Sequence, residues 1–367
     1  MISDQFEIPC CTGADTLENM ASENSTADET ARQNVNTTFD YTSQAATFVD
    51  PTWQLVKVIE FYFQYAIIAV GIFGTAANAL VLYGMVAYHV HETKKRAVNL
   101  LIINQNLLDL SSCILLTISY SIKLSNSHLT GALGYYLCII FISDNAHSCT
   151  LYASIINLIA VTVERYLKVV HPFWSKKYLK RWMIHVTTVF AWVGGILTCL
   201  PAAFVTTIVQ EGICLPFFLW ESAEVEIEYV WWCFISFCVV PAMLFVYCYG
   251  RIALVVRRQA RVMAAHNVQA SAQTNAAKME SKRVKWNIIK TMIIVSGAIV
   301  ICWFPINILI IVGYARYAYN ATMCLAYLYI CMNPFIYAIK HDGVKQTLAG
   351  LMVRCRRAVV TTGGVDP

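Results

Sequence analysis

Ionisable side chains inside apolar stretches are the residues of this sequence whose types and spacing favour a chemical role. Asp109 and Asp144 each interrupt an apolar run, His147 follows three positions after Asp144, and Glu164 and Arg165 lie together near the end of the same run. An ionised group in an apolar medium is costly unless it is paired, hydrated or hydrogen-bonded, so each of these positions marks a candidate site. The structural alternatives are a packed polar role for Asp109 or His147 and a snorkelling anchor for Arg165.

The composition excludes several classes of protein. Of the 367 residues, 58% are hydrophobic and 13% are charged, whereas a soluble domain is about 25% charged. The net charge of +5 does not indicate nucleic-acid binding, because the apolar residues fall into long blocks. No paired carboxylates, nucleophile with a base, or set of metal ligands stands out, so we expect no enzymatic activity.

Seven apolar blocks predict seven membrane-spanning helices, because roughly 20 helical residues cover a hydrocarbon core of ~30 Å. The blocks lie at 61–88, 98–122, 134–170, 183–209, 229–256, 286–312 and 317–339. The predicted fold class is therefore an all-α membrane protein, a seven-transmembrane helix bundle with a short amphipathic helix after the seventh span.

Three regions follow from this pattern. We place a disordered extracellular tail at 1–57, because this segment is polar, acidic and rich in Ser, Thr and Asn. The bundle occupies 58–340, and a juxtamembrane amphipathic helix with a short cytoplasmic tail occupies 341–367. The amphipathic helix is predicted from apolar residues at helical spacing: Val344, Leu348, Leu351 and Met352.

The basic residues predict the orientation in the plasma membrane. One side of the predicted bundle carries 23 of the 27 Lys and Arg residues. Positive charge accumulates on the cytoplasmic side, so we expect the C-terminus inside and the N-terminus outside. Three N-x-S/T triplets on the outer side are N-glycosylation candidates: Asn24, Asn36 and Asn320.

Short motifs recur in the predicted helices in a fixed order. The longest are Glu164-Arg165-Tyr166, Cys302-Trp303-Phe304-Pro305 and Asn333-Pro334-Phe335-Ile336-Tyr337. Single positions accompany them: Gly74, Asn78, Asn104, Asp109, Pro172, Trp192, Pro201, Pro241 and Tyr249. Together, over about residues 60 to 352, these motifs resemble the rhodopsin-like (class A) G-protein-coupled receptors. The resemblance implies a cell-surface receptor that converts binding of an extracellular ligand into activation of a heterotrimeric G protein.

The resemblance also implies an activation switch. At rest Glu164 would hold Arg165, and activation would free Arg165 to meet the G protein. Prolines in the sixth and seventh helices remove backbone hydrogen bonds and kink the chain, which favours hinges there. The implied switch residues are Glu164, Arg165, Tyr166, Tyr249, Trp303, Pro305, Asn333, Pro334 and Tyr337.

A second implication is a small polar cavity that holds an allosteric sodium ion in the resting receptor. Its lining would comprise Asp109, Ser154, Trp303 and Asn333, with Asp109 as the charged ligand. The sequence departs from the family beside this acid, because Gln105-Asn106 stand where Leu-Ala is usual. Sodium at Asp109 is accordingly a hypothesis for this chain.

Cysteines near the membrane predict two modifications. Cys138, at the outer end of the third helix, and Cys214, in the loop after the fourth, are expected to pair in an oxidising exterior. Cys138 precedes Arg165 by 27 residues, about two more than the family pattern, which implies a local irregularity in the third helix. Cys355, among arginines beside the membrane, is a palmitoylation candidate.

The ligand is the least defined partner. His147 stands 18 residues before Arg165, where amine receptors of the family carry Asp, and Asp144 lies about a turn further out. No Lys lies within 317–339, which excludes light sensing through a retinal Schiff base. Acidic outer segments favour a cationic peptide, as for a neuropeptide receptor, although a merely solvated acidic loop is the alternative. The pocket candidates are Asp144, His147, Trp303, Met323 and Tyr327.

Two alternatives to a peptide receptor stay open. The first is a receptor of the same class for an amine or a lipid. The second is a small-solute transporter or channel with Asp109 and Asp144 on the ion path, although such a protein would not need Glu164-Arg165-Tyr166. Membrane lipids are expected at the basic face, and a strong arrestin signal is not, because Thr361 and Thr362 are the only hydroxyl residues of the tail.

We predict signalling without ligand. Many relatives carry an acid near the start of the sixth helix that also clamps the arginine, but here Lys285, 20 residues before Pro305, occupies the matching position and would repel Arg165. Cells expressing the chain should therefore activate a co-expressed G protein above the level of mock-transfected cells. A ligand-free signal equal to that of mock cells would contradict the prediction.

Overall fold

The structure is a computed structural model that describes residues 51–91, 96–125, 128–266, 290, 293–309, 316–340, 345, 349–350 and 353. The chain divides into two units, Met1–Glu60 and Phe61–Pro367, and in the first unit the described residues form helical turns from Pro51 onward. For Asn320 and Tyr337 the description covers the backbone only. Several predicted features lie outside the described residues: Asn24, Asn36, Lys285, Val344, Leu348, Leu351, Met352, Cys355, Thr361 and Thr362.

Seven apolar helices follow one another, and the predicted all-α seven-helix fold is confirmed. Within the described residues five helices are long and apolar enough to cross a membrane, and the sixth and seventh contribute shorter apolar stretches. The uninterrupted helices are the first at Pro51–His91, the second at Arg96–Ser125, the fourth at Arg181–Thr206, the sixth at Ile293–Leu309 and the seventh at Arg316–Lys340. The described positions after Lys340, at 345, 349–350 and 353, are helical, which is consistent with a short helix there.

The third and fifth helices each contain a π-helical turn. The third comprises Gly131–Leu137, the π turn Cys138–Ile142 and Asn145–Val170, and the short helix Pro172–Tyr178 follows it. The fifth comprises Ala223–Phe234, the π turn Ile235–Val239 and Val240–His266. A π turn is rare, occurs mostly as a single turn inside an α-helix, and is frequent at functional sites.

The fourth helix is shorter than predicted, and its expected extension to Val209 is wrong. The helix ends at Thr206, and Ile208–Gln210 forms a strand, β1, that pairs antiparallel with β2 at Ile213–Leu215. The residues at 206–209 are Thr206, Thr207, Ile208 and Val209, and all four are β-branched, which suits a strand better than a helix. Glu211 and Gly212, with φ of 52° and 79°, make the two-residue hairpin turn.

The irregularity implied near Cys138 is a π turn followed by a break in the third helix. Asp144 lies in the left-handed region, with φ of 60°, immediately before the helix resumes at Asn145. Side chains replace lost helical hydrogen bonds, since Asn145 Nδ2 donates to the Ile139 carbonyl oxygen at 2.7 Å and to Ser143 Oγ at 2.6 Å. A disulfide joins Cys138 to Cys214 with a Cα–Cα distance of 5.4 Å, and so anchors β2 to this part of the third helix.

The third helix lies at the centre of the bundle. In its most apolar stretch 61% of the residues are buried inside the protein, against 22% in the fourth helix. One cluster of buried apolar residues includes members from all seven helices, among them Val81, Leu101, Leu158, Phe245 and Ile299. Apolar side chains on the outer faces, such as Phe73 and Val205, are exposed, as expected of surfaces that meet lipid.

The third and fourth helices approach each other at a glycine. A Cβ atom placed on Gly195 would lie 2.2 Å from the Cys149 carbonyl oxygen and 2.8 Å from the Ala153 backbone nitrogen. Small residues allow such close contact between helices in a membrane, where lipid is as apolar as the helix surface. The contact positions the part of the third helix that carries His147 and Ser154.

We predict that Gly195→Ala separates these two helices. The added methyl group meets backbone atoms that cannot move aside, so we expect a loss of about 1–3 kcal/mol of stability and lower surface expression. Thermal unfolding of the purified receptor measures the loss. Gly194→Ala is the matched control, because its Cβ would meet only the terminal Cδ1 of Ile156, at 2.9 Å. Equal unfolding temperatures for the two variants would contradict the prediction.

Candidate functional site

A cavity of about 420 Å³ opens at the end of the bundle that carries the disulfide. Its walls come from the third, fifth, sixth and seventh helices, with Lys123 of the second helix and Phe217 of the loop after β2 at its edge. All five pocket candidates of the sequence line it: Asp144, His147, Trp303, Met323 and Tyr327. Residues spread over 184 positions of sequence therefore share one chamber of the size typical of a small-ligand site.

The charges beside the cavity form a pair. Lys123 Nζ lies 2.5 Å from Asp144 Oδ2, and both side chains are about one fifth exposed. The same ammonium group lies 4.2 Å from the centroid of the Tyr120 ring, which adds a cation–π contact. Asp144 reaches Lys123 from the break in the third helix, so the irregular backbone positions this carboxylate. The pair leaves the cavity lined by one charge of each sign.

His147 is held between the second and seventh helices. Its ring is buried, its Nδ1 lies 3.3 Å from the Ser112 carbonyl oxygen, and the ring packs edge-to-face on Tyr327 with centroids 5.2 Å apart. A carbonyl can only accept, so Nδ1 carries the proton and Nε2 is an acceptor in the neutral ring. At the position where amine receptors of the family carry Asp, this chain has His147, whose neutral ring presents Nε2 as a hydrogen-bond acceptor.

Three polar atoms of cavity-lining residues are buried without a hydrogen-bond partner among the described residues. They are Asp144 Oδ1, His147 Nε2 and Trp303 Nε1. A buried polar atom left unpaired costs about 1–3 kcal/mol, so such atoms are usually matched by water or a ligand. Two of the three are acceptors and one is a donor, which indicates a ligand group rich in N–H or O–H donors.

A separate polar network surrounds Asp109 in the middle of the bundle. Asp109 is buried, Ser154 Oγ donates to its Oδ1 at 3.1 Å, and Asn333 Nδ2 donates to its Oδ2 at 2.8 Å. The structure thus brings together three of the four residues expected at a sodium site. Trp303 lines the cavity and makes no hydrogen bond to this group within the described part of the chain. Gln105 also donates to Asp109 Oδ1, at 3.3 Å.

The opposite end of the third helix carries the acid–arginine pair. Arg165 Nε lies 3.4 Å from Glu164 Oε2, and the other carboxylate oxygen of Glu164 contacts Lys168 Nζ. Arg165 is buried, and its Nε and Nη2 have no hydrogen-bond partner among the residues described. Within the described part of the chain the guanidinium therefore retains donors that a partner with carbonyl or carboxylate oxygens would satisfy.

Tyr249 connects the third helix to the sixth near Arg165. Its hydroxyl lies 2.9 Å from Thr162 Oγ1 and 3.2 Å from Ser296 Oγ. Tyr166 points elsewhere, with its hydroxyl 3.4 Å from His171 Nε2. Pro305 and Pro334 lie inside the sixth and seventh helices, where each removes a backbone donor.

Sequence reasoning missed the partners of the charged groups. In the sequence Lys123 is one of the four Lys and Arg residues on the outer side of the predicted bundle, and Gln105 is a departure from a family pattern. Lys123 carried a usable signal, because a Lys at the end of an apolar helix needs a partner when it does not reach water. The pairing itself depends on the left-handed backbone at Asp144, which no local pattern indicates.

We predict that Lys123 and Asp144 are energetically coupled. Lys123→Met leaves a half-buried carboxylate and Asp144→Asn leaves a half-buried ammonium group, so each single change should lower the unfolding temperature. The double variant should recover part of the loss, with a coupling energy of roughly 1–2 kcal/mol. Thermal unfolding of the four receptors provides the cycle, and strictly additive losses would refute the coupling.

Comparisons with known proteins identify the family and the fold of this chain. The model of the 7 transmembrane receptor (rhodopsin family) matches residues 77–337. The chain is 25% identical over 299 residues to Proteinase-activated receptor 3 of Rattus norvegicus, covering 76% of this chain and 72% of that receptor. It is 24% identical over 302 residues to Melanopsin-A of Gadus morhua, covering 76% of this chain and 50% of that protein.

The crystal structure of squid rhodopsin has the same fold, with a TM-score of 0.65 at 17% identity over 81% of this chain and 86% of that one. Residues 77–337, which the family model matches, contain the cavity, the network around Asp109 and the acid–arginine pair. The chain belongs to the rhodopsin family of seven-transmembrane receptors and is a multi-pass G-protein-coupled receptor of the plasma membrane.

Proposed function

We propose that this receptor is activated by a cationic peptide that places one donor-bearing side chain in the cavity beside Asp144 and His147. As a member of its family, the chain couples an extracellular ligand to a heterotrimeric G protein and is not an enzyme. The observation that supports the peptide is the distribution of charge. The cavity is lined by a neutralised pair, whereas the exposed acids of the hairpin turn and of the start of the fifth helix have no ion-pair partner among the described residues.

The acids near the entrance lie on two elements. Glu211 is in the turn of the β1–β2 hairpin. Four further acids lie around the start of the fifth helix: Glu221, Glu224, Glu226 and Glu228. All five are exposed. The loop after β2 and the fifth helix both contribute to the cavity wall, through Phe217 and Cys233. A ligand approaching the cavity therefore meets a negative field, which speeds association of a cation.

The interior favours a neutral group with several donors. Lys123 already neutralises Asp144, so an ammonium ligand would compete with Lys123 for the carboxylate. The unpaired Asp144 Oδ1 and His147 Nε2 call for N–H or O–H groups. A volume of about 420 Å³ accommodates one or a few side chains and not a whole peptide. The remainder of the peptide would lie among the acids outside.

The orientation of the chain is part of the proposal. Disulfides persist in oxidising compartments, so the end with Cys138 and Cys214 would face the exterior. The end with Arg165 would then face the cytoplasm. The excess of Lys and Arg in the neighbouring connections supports the same orientation. A G protein would then supply acceptors for the donors of Arg165 that have no partner among the described residues.

A small amine is the second candidate. The free Asp144 Oδ1 favours it, because an ammonium group could share the carboxylate with Lys123. The two candidates differ in their need for the outer acids. A small amine held inside the cavity does not touch Glu224 or Glu228, whereas a cationic peptide does.

The test is a screen of basic-peptide and amine libraries against cells that carry the full-length receptor and a panel of G-protein sensors. With the agonist found, we expect Asp144→Asn and His147→Ala to reduce potency about tenfold or more at normal surface expression. Glu224→Gln with Glu228→Gln should reduce potency a few-fold, and less so at high salt. The reason is that the first pair contacts the ligand and the second attracts it.

His185→Ala is the control for His147→Ala, because His185 is exposed on the fourth helix and does not line the cavity. Unchanged potency in both Asp144→Asn and His147→Ala would defeat the proposed site. If agonists are found only among amines, and their potency does not change in the variant of Glu224 and Glu228, the second candidate would replace the peptide.

A further inference from the structure

Every oxygen of the Asp109 carboxylate already has a side-chain donor. Oδ1 accepts from Ser154 Oγ at 3.1 Å and from Gln105 Nε2 at 3.3 Å, and Oδ2 accepts from Asn333 Nδ2 at 2.8 Å. The same Nε2 also donates to Ser154 Oγ, so the amide group of Gln105 lies between the acid and the serine. Gln105 itself is fully buried. The place beside the acid is filled by the protein.

The direction of the Gln105 amide is set by a chain of hydrogen bonds from the fourth helix. An indole nitrogen can only donate, so Trp192 Nε1, 3.1 Å from Asn104 Oδ1, identifies that atom as oxygen. Asn104 Nδ2 then donates to Asn157 Oδ1 at 2.9 Å, and Asn157 Nδ2 donates to Gln105 Oε1 at 2.9 Å. Amide orientations are assigned from such networks, and here the assignment is determined from one end to the other.

The final donor of this chain is aimed at Asp109. Gln105 Oε1 is used by Asn157, so the NH2 group must point at the carboxylate and at Ser154. Successive amide hydrogen bonds polarise one another, which increases the partial positive charge on the last N–H group. The acid therefore meets a fixed positive dipole that is oriented by Trp192, four side chains away.

These residues do not fit a sodium ion. A hard cation requires several oxygen lone pairs directed at one point. Beside Asp109 Oδ1 the structure presents amide N–H donors, which would repel a cation, and the Gln105 side chain fills the gap between Asp109 and Ser154. The sodium site implied by the resemblance is thus occupied by a side chain in this receptor.

We propose that the Gln105 carboxamide serves as a built-in substitute for the cation at Asp109 and makes the receptor indifferent to sodium. The substitute joins the second helix to the third and supports the bond from Asp109 to Asn333 of the seventh. The occupancy of an ion site changes with the concentration of the ion, whereas a covalently attached amide is always present. Gln105 is a positioning residue, and it acts by occupying the ion's place.

Thermal unfolding of the purified full-length receptor in nanodiscs, without ligand, tests the proposal. Buried free thiols, such as those of Cys113 and Cys302, report unfolding through a thiol-reactive dye. Sodium chloride is compared with choline chloride at equal ionic strength. We expect equal Tm values in the two salts for the wild type. Gln105→Ala vacates the space beside the carboxylate. The Tm of this variant should therefore be about 2–4 °C higher in sodium chloride than in choline chloride.

Two variants make the result specific. Adding Asp109→Asn to Gln105→Ala should abolish the sodium effect, because the charged ligand is gone. Asn106→Ala is the matched control, since this neighbouring buried amide donates to Asn78 Oδ1 at 2.8 Å instead of Asp109 and its removal should leave the receptor indifferent to sodium. A merely structural role for Gln105 would lower Tm equally in both salts.

Two outcomes would overturn the proposal. The first is a sodium-specific rise in Tm of the wild type that Asp109→Asn abolishes, which is measurable even if Gln105→Ala does not fold. The second is a folded Gln105→Ala receptor that responds identically to sodium and choline, since no cation position would then lie beneath the amide.

Discussion

The buried carboxylate of Asp109 imposes the constraint on which the arrangement of the helices depends. In lipid, apolar contacts between helices have little preference for one rotation over another, because the lipid is as apolar as the side chains. Hydrogen bonds to a buried acid are directional, and a donor turned away leaves a costly unpaired group. Ser154 and Asn333 must therefore face the second helix, which fixes the rotation of the third and the seventh. The amide chain to Trp192 extends this constraint to the fourth helix.

The third helix satisfies two demands that a regular helix could not meet together. Its inner part carries Ser154, Asn157 and Arg165 on faces set by the polar network and the packing at Gly195. Its outer part must bring Cys138 to Cys214 in the β-hairpin. The π turn and the left-handed Asp144 reconcile the two demands by changing the phase of the helix. The same irregularity brings Asp144 to Lys123, so the charge pair of the cavity is a product of the break.

The sixth helix, like the third, runs from the cavity to the region around Arg165. Trp303 lines the cavity, and Ser296, seven residues or about two turns earlier, holds the hydroxyl of Tyr249. Trp303 in the cavity and the contact to Tyr249 near Arg165 therefore belong to one helix. The two ends also differ in charge, since the carboxylate at the cavity is neutralised whereas the guanidinium of Arg165 keeps unpaired donors in the described part of the chain.

The sequence alone determined the class of fold and the helix on which most of the predicted site residues lie. Blocks of apolar residues and the requirement for internal backbone hydrogen bonds leave few alternatives to membrane helices. Ser154 precedes Arg165 by 11 residues, about three helical turns, so the spacing by itself places both on one side of the third helix. Hydropathy was less reliable at Thr206, because the apolar β-branched residues Ile208 and Val209 continue the signal after the helix has ended. Hydropathy and periodicity are local properties of the chain, so they predict helices and the faces of helices.

The tertiary structure alone decided which polar groups meet. Lys123 and Asp144 are 21 residues apart on different helices, and their contact depends on a left-handed residue that hydropathy does not reveal. Gln105 was visible as a departure beside Asp109, but its role follows from hydrogen bonds that begin at Trp192, 88 residues from Asn104. The direction of an amide is decided by its partners in space and carries no signature along the chain. That is why the resemblance implied an ion at Asp109, while only the structure shows the Gln105 amide beside this carboxylate.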